Sequence, residues 1–125
     1  MTYRHAVLWI DHHEAKIFRL EGESVEASIV EPRRHVRRHS TATHERSHPT
    51  DAQHYYHEVA RELADAGEIL VVGPSTAKLE FIKHVHKQEG ALESKIVGVE
   101  TVDHPTDGQL AAYARHYFRA ADRMR

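Results

Sequence analysis

Between His5 and Val30 the chain has room for three strands and little else. His5–Ile10 (HAVLWI), Ala15–Leu20 (AKIFRL) and Ser24–Val30 (SVEASIV) are strand-like runs, parted only by the tetrad Asp11-His12-His13-Glu14 and by Glu21-Gly22-Glu23. A parallel pairing needs a crossover of about a dozen residues or more, so strands joined this closely must be antiparallel neighbours in a meander. Pro32 closes the third run, since proline has no N–H to give to a ladder.

The rest of the chain alternates. Thr50-Asp51-Ala52-Gln53 has the form of a capping box, in which the threonine oxygen accepts from the backbone at Gln53 and the glutamine reaches back. Behind it Ala52, Tyr55, Tyr56, Val59, Ala60 and Leu63 share one helical face, while His54, His57, Glu58, Arg61, Glu62 and Asp65 take the other. Gly67 is placed to end that helix. Glu68–Val72 (EILVV) predicts a buried strand running into Gly73-Pro74-Ser75-Thr76. A second helix then turns Phe81, Ile82 and Val85 inward and Lys83, His84, His86 and Lys87 mostly outward. Lys95–Val102 (KIVGVETV) predicts another strand. Thr106-Asp107-Gly108-Gln109 repeats the capping box ahead of a last helix with Leu110, Ala114, Tyr117, Phe118 and Ala121 on one face. Strands that alternate with helices pair in parallel through right-handed crossovers. The sequence therefore predicts one α/β domain over residues 1–125, βββαβαβα, with a mixed sheet and three helices.

Between the third strand and the first helix lies Arg33–His48 (RRHVRRHSTATHERSH), a basic arm without glycine or a steady apolar period. Five arginines against one glutamate give it a net +4, and because the whole chain is −2 the remainder carries −6 with histidines neutral. Such a separation speaks of partners rather than of fold. Arg33, Arg34, Arg37, Arg38 and Arg46 can each pair bidentately with a phosphate, which lysine does less well. The arm holds no aromatic residue, so base stacking is not expected. A solvated loop is the plainer alternative, and the charge asymmetry favours nucleic acid over it.

The remaining composition narrows the class. No apolar run approaches the roughly 20 residues of a bilayer helix, so no membrane partner is expected. The opening Met1-Thr2-Tyr3-Arg4 gives way at once to a strand and does not read as a signal peptide. With no cysteine among 125 residues, disulfides and thiolate zinc sites are excluded, and a cytoplasmic setting is expected. The outward helix faces are polar and offer no coiled seam; they do not fix an oligomeric state.

A three-stranded meander followed by αβαβα is the order of the ribonuclease H-like fold. Three segments sharpen this: AVLWIDHHEAKIFRL (Ala6–Leu20), ILVVGPSTAKLEFIKH (Ile69–His84) and KIVGVETVDHPTDGQL (Lys95–Leu110). In order and spacing the chain resembles the middle domain of archaeal and eukaryotic class-1 release factors and of Pelota, standing free of their other domains. In that family the loop between the third strand and the first helix carries the function, and in release factors it holds the Gly-Gly-Gln that promotes peptidyl-tRNA hydrolysis. Here that loop is Arg33–His48. No glycine lies between Gly22 and Gly67, and the nearby Gln53 belongs to a helix cap. The backbone freedom of paired glycines is missing. The parallel is therefore with Pelota, which also lacks the tripeptide. The resemblance implies contact with ribosomal RNA or tRNA, a ribosome-associated role in translation, and no hydrolysis. No cofactor is expected.

Other constellations are possible in principle. His35, His39, His44 and His48 are spaced 4, 5 and 4 and could face a metal if the arm were helical, but all-histidine structural sites are uncommon. Asp11 and Asp103, with Glu100 nearby, end strands as the magnesium-holding carboxylates of a nuclease would. Asp11, however, sits in a hairpin turn, where aspartate is favoured for local bonding, and a fold does not imply its chemistry. Gly73-Pro74-Ser75-Thr76-Ala77-Lys78 is a strand-to-helix turn that could offer Lys78 as a further RNA contact. It lacks the second glycine and the Lys-Ser/Thr pair of a nucleotide-binding loop.

Overall fold

A computed structural model of the chain describes residues 3–32 and 49–123. Five strands, β1 (Tyr3–Ile10), β2 (Ala15–Glu21), β3 (Ser24–Val30), β4 (Ala66–Gly73) and β5 (Ile96–Thr101), form one sheet in the order β3-β2-β1-β4-β5. The β1–β2 and β2–β3 pairs are antiparallel, and β1–β4 and β4–β5 are parallel. This is the mixed, ribonuclease H-like sheet expected from the meander and the alternation behind it. The helices are α1 (Pro49–Glu62), α2 (Ala77–Gln88), α3 (Gly90–Glu93) and α4 (Asp107–Arg123).

β1 is the central strand and is covered on both faces, which is why HAVLWI shows no polar alternation. Ala6, Leu8 and Ile10 pack with Tyr55, Tyr56 and Val59 of α1 and Phe81 and Val85 of α2. Val7 and Trp9 pack on the opposite face with Leu110, Ala114 and Phe118 of α4. β4 is divided in the same way, Ile69 and Val71 to the first layer and Leu70 and Val72 to the second. β3, at the sheet edge, is mostly exposed. The second capping box forms as its sequence predicts. Gln109 N donates to Thr106 Oγ1 at 3.1 Å, and Thr106 N donates to Gln109 Oε1 at 2.9 Å.

Several local expectations are corrected. A fourth helix, α3, makes one short turn after α2 where three helices were expected. α1 begins at Pro49, so Thr50 is already helical; proline's fixed φ suits a first helical turn. Gly67 does not cap α1. The helix ends at Glu62, Ala66 N donates to Leu63 O at 3.0 Å, and Ala66 already pairs with Tyr3, which leaves Gly67 inside β4. His84, expected outward, is buried on α2.

Candidate nucleic-acid interface

The arm's five arginines, Arg33, Arg34, Arg37, Arg38 and Arg46, and its histidines, His35, His39, His44 and His48, lie outside the described residues. Its two attachment points are described. β3 ends at Val30, which pairs with Ala15, itself paired with Ile10 at the end of β1. α1 starts again at Pro49. The arm is therefore rooted at the carboxyl end of the parallel strands, where open α/β sheets place their ligand crevices.

That end is braced by a bonded turn. Asp11 Oδ1 accepts from His13 N and Glu14 N, both at 2.8 Å, and Asp11 N donates to Glu14 O at 3.0 Å. Tyr55 Oη, on the buried face of α1, donates to the Asp11 carbonyl at 3.0 Å. Burial first, then the charges of Asp11, Tyr56, Glu14 and Glu31, push the Tyr55 phenol far above its ordinary value, so it remains a neutral donor. Glu14 precedes Ala15, which pairs with Val30, and Glu31 follows Val30, so with Asp11 three acids lie near the root of the arm.

The adjacent residue of α1 is tied in through Glu80 of α2. Tyr56 Oη donates to Glu80 Oε1 at 2.9 Å, and His12 Nε2 lies 3.3 Å from Glu80 Oε2. Burial alone would raise the Glu80 carboxyl, but the hydrogen bonds of Tyr56 and His12 outweigh it and hold the group below its usual value. Hairpin, α1 and α2 are thus tied together at the end of the sheet where β3 ends and α1 begins. At the β4–α2 turn Lys78 is only 6% exposed, and its Nζ donates to Ser75 O at 2.7 Å. Its cation is satisfied within the turn rather than held out toward solvent.

Among the described residues, the carboxylates of the nuclease alternative do not form a group of three ligating side chains. Asp11 uses Oδ1 in its own turn, and β4 separates β1 from β5. The Asp103 side chain is 92% exposed beside His104, while its carbonyl accepts from Trp9 Nε1 at 2.8 Å. Glu100 accepts from the Tyr113 hydroxyl. Among the described residues, groups of three metal-ligating side chains occur elsewhere, at His57, His84 and Glu89 and at His5, Glu68 and Asp122. The sequence reading passed over His84 and Glu89. They are separated by five positions, a spacing that puts residues on one helical face only if the helix ends between them, as α2 does at Gln88.

No family model matches the chain, and no curated protein matches it in sequence. Solved structures do. The Thermoplasma acidophilum Pelota protein is 16% identical with a TM-score of 0.61, over 90% of this chain and 32% of that one. An archaeal translation termination factor is 16% identical with a TM-score of 0.55, over 96% of this chain and 38% of the other. A Saccharomyces cerevisiae translation termination-like factor, involved in RNA quality control, is 8% identical with a TM-score of 0.52, over 78% and 28%. The chain spans about a third of the length of these proteins. The likeness establishes the fold that the sequence resemblance implied.

Proposed function

We propose that this protein is a non-catalytic, translation-associated module that contacts the RNA of the ribosome, or tRNA, through the arginine arm Arg33–His48. The observation that carries the reading is positional. The most basic stretch of the sequence is inserted between β3 and α1, in a fold shared with Pelota and with archaeal termination factors. The acids at the arm's root and the −6 outside it repel phosphate, which confines the contact to the arm. Without glycine or glutamine in the arm there is no counterpart of the hydrolytic tripeptide, and binding rather than peptide release follows. A cytoplasmic setting accompanies this role.

The test is co-sedimentation with ribosomes across a salt series. Three or four phosphate contacts give a slope of log K against log salt of about −2 to −3. Replacing the five arginines with serine abolishes pelleting while the folded body melts as before. Pelleting that ignores salt, or that survives the five substitutions, refutes the proposal. Peptide release from a loaded ribosome would refute its non-hydrolytic half.

A further inference from the structure

The buried histidine of α2 has a use that the arm does not supply. His57 on α1, His84 on α2 and Glu89 at the α2 C-cap offer two imidazoles and a carboxylate whose ligand atoms all lie within 4.8 Å of one another. His57 Nδ1 is 2.7 Å and His84 Nε2 is 3.0 Å from the same oxygen, Glu89 Oε2. We propose that these three side chains form a divalent transition-metal site, of the zinc class, that clips α1 to the end of α2.

The donor set is that of open zinc sites, which use three protein ligands from histidine and carboxylate and leave the fourth position to water. Bonds of about 2.0–2.2 Å in a tetrahedron put ligand atoms roughly 3.3 Å apart, so only side-chain adjustments are needed here. The supports are rigid. The N–H of Glu89 donates to Val85 O, at 2.9 Å, and fixes the carboxylate beside the last turn of α2. The His84 side chain is 7% exposed, with the Tyr56 ring 6.1 Å from its own, whereas the His57 side chain is 50% exposed. The site is therefore walled on the α2 side and open on the α1 side, which leaves a path for the ion and room for its water. Imidazole with carboxylate suits zinc, cobalt and nickel better than magnesium or calcium, which prefer all-oxygen shells. The second group, His5, Glu68 and Asp122, is less suited to a cation. Arg4, Arg115 and Arg119 line the same cleft as His5 and Asp122.

The experiment is zinc titration of the full chain, free of any tag, by calorimetry, with the cobalt absorption spectrum as a second readout. The comparison variants are His57→Ala, Glu89→Gln and one in which His35, His39, His44 and His48 are all serine. His57→Ala removes a half-exposed side chain and leaves the core intact, so it separates lost binding from lost folding. One equivalent of zinc, kept when the arm histidines are replaced and weakened about tenfold or more in His57→Ala and Glu89→Gln, is the expected result. The tetrahedral cobalt spectrum of the wild type is likewise absent from His57→Ala. No stoichiometric zinc in the wild type, undiminished zinc in His57→Ala, or loss only with the arm histidines overturns the proposal. None of these outcomes bears on ribosome pelleting, so the two readings fail independently.

Discussion

The same substitution, glycine to alanine, is expected to have opposite effects at two positions of this fold. At Gly73 the new Cβ would be driven into the carbonyl oxygen of Ile10. That oxygen cannot retreat easily. Ile10 is fully buried and pairs with Ala15 on its other side, while Gly73 pairs with Thr101 and accepts from Val102 N at 3.1 Å. Alanine does restrict the unfolded chain, a gain of about 0.4–1 kcal/mol where the backbone tolerates it. Forcing a methyl against a packed interior costs about 1–3 kcal/mol, so the clash prevails and Gly73→Ala loses roughly 1–2 kcal/mol. At Gly108, in the first turn of α4, nothing lies within 4 Å of the new Cβ. There alanine's helix propensity stabilises by about 0.5–1 kcal/mol. Urea unfolding of both variants, at unchanged slope, reads the difference as midpoints displaced to either side of the wild type. Midpoints moving in the same direction, or a Gly73→Ala protein as stable as the wild type, would refute the packing argument.

Three further perturbations follow from the hydrogen bonds. Thr106→Ala removes the acceptor of Gln109 N at the start of α4 and costs about 1 kcal/mol, read from the same urea curves. Tyr56→Phe deletes the donor that holds the Glu80 carboxyl low. A depressed folded value stabilises above the unfolded pKa of about 4.3 and is lost as pH falls through the folded one. Wild type and Tyr56→Phe should therefore diverge in stability above about pH 5 and converge in acid; a gap that persists at low pH would show that packing, not the carboxylate, was responsible. Asp11→Asn keeps an acceptor for His13 N and Glu14 N and should change stability by less than about 0.5 kcal/mol, whereas Asp11→Ala loses about 1–2 kcal/mol. Magnesium-dependent RNA cleavage that disappears in Asp11→Asn would restore the nuclease reading.

Local grammar made most of the fold legible. The meander, the apolar strand runs of β1 and β4 and the Thr106 capping box can each be read from a short stretch of sequence, and all are present. The misreadings arise where a distant partner decides. Gly67 carries a cap's chemistry, but Ala66 is held by pairing with Tyr3, and the strand takes the glycine with it. His84 is polar, yet it is buried because Glu89 folds back to meet it and Tyr56 lies beside it. The arm was legible as charge, and the ends of β3 and α1 that flank it were legible as elements. The bonds that tie those ends to the hairpin and to α2 were not, because Tyr55, Tyr56, His12 and Glu80 meet only once the sheet is formed.

Under the proposed function, the division of charge would set the direction from which the domain meets RNA. A uniformly basic domain could meet phosphate with any of its faces, because the attraction is long-ranged and follows the distribution of charge. Here the described body bears acids at the very root of the arm, and the sequence outside Arg33–His48 totals −6. Any approach other than arm-first brings like charges together. The repulsion reaches about 10 Å at 0.1 M salt, comparable with the thickness of one helix layer, so it acts on the encounter rather than on the final contacts. Neutralising the arm would then leave a protein that RNA repels, not merely one that lacks a few contacts. The bracing of the hairpin, α1 and α2 through Asp11 and Glu80 would serve the same proposed role, because an arm could orient a domain only if its attachment points did not yield.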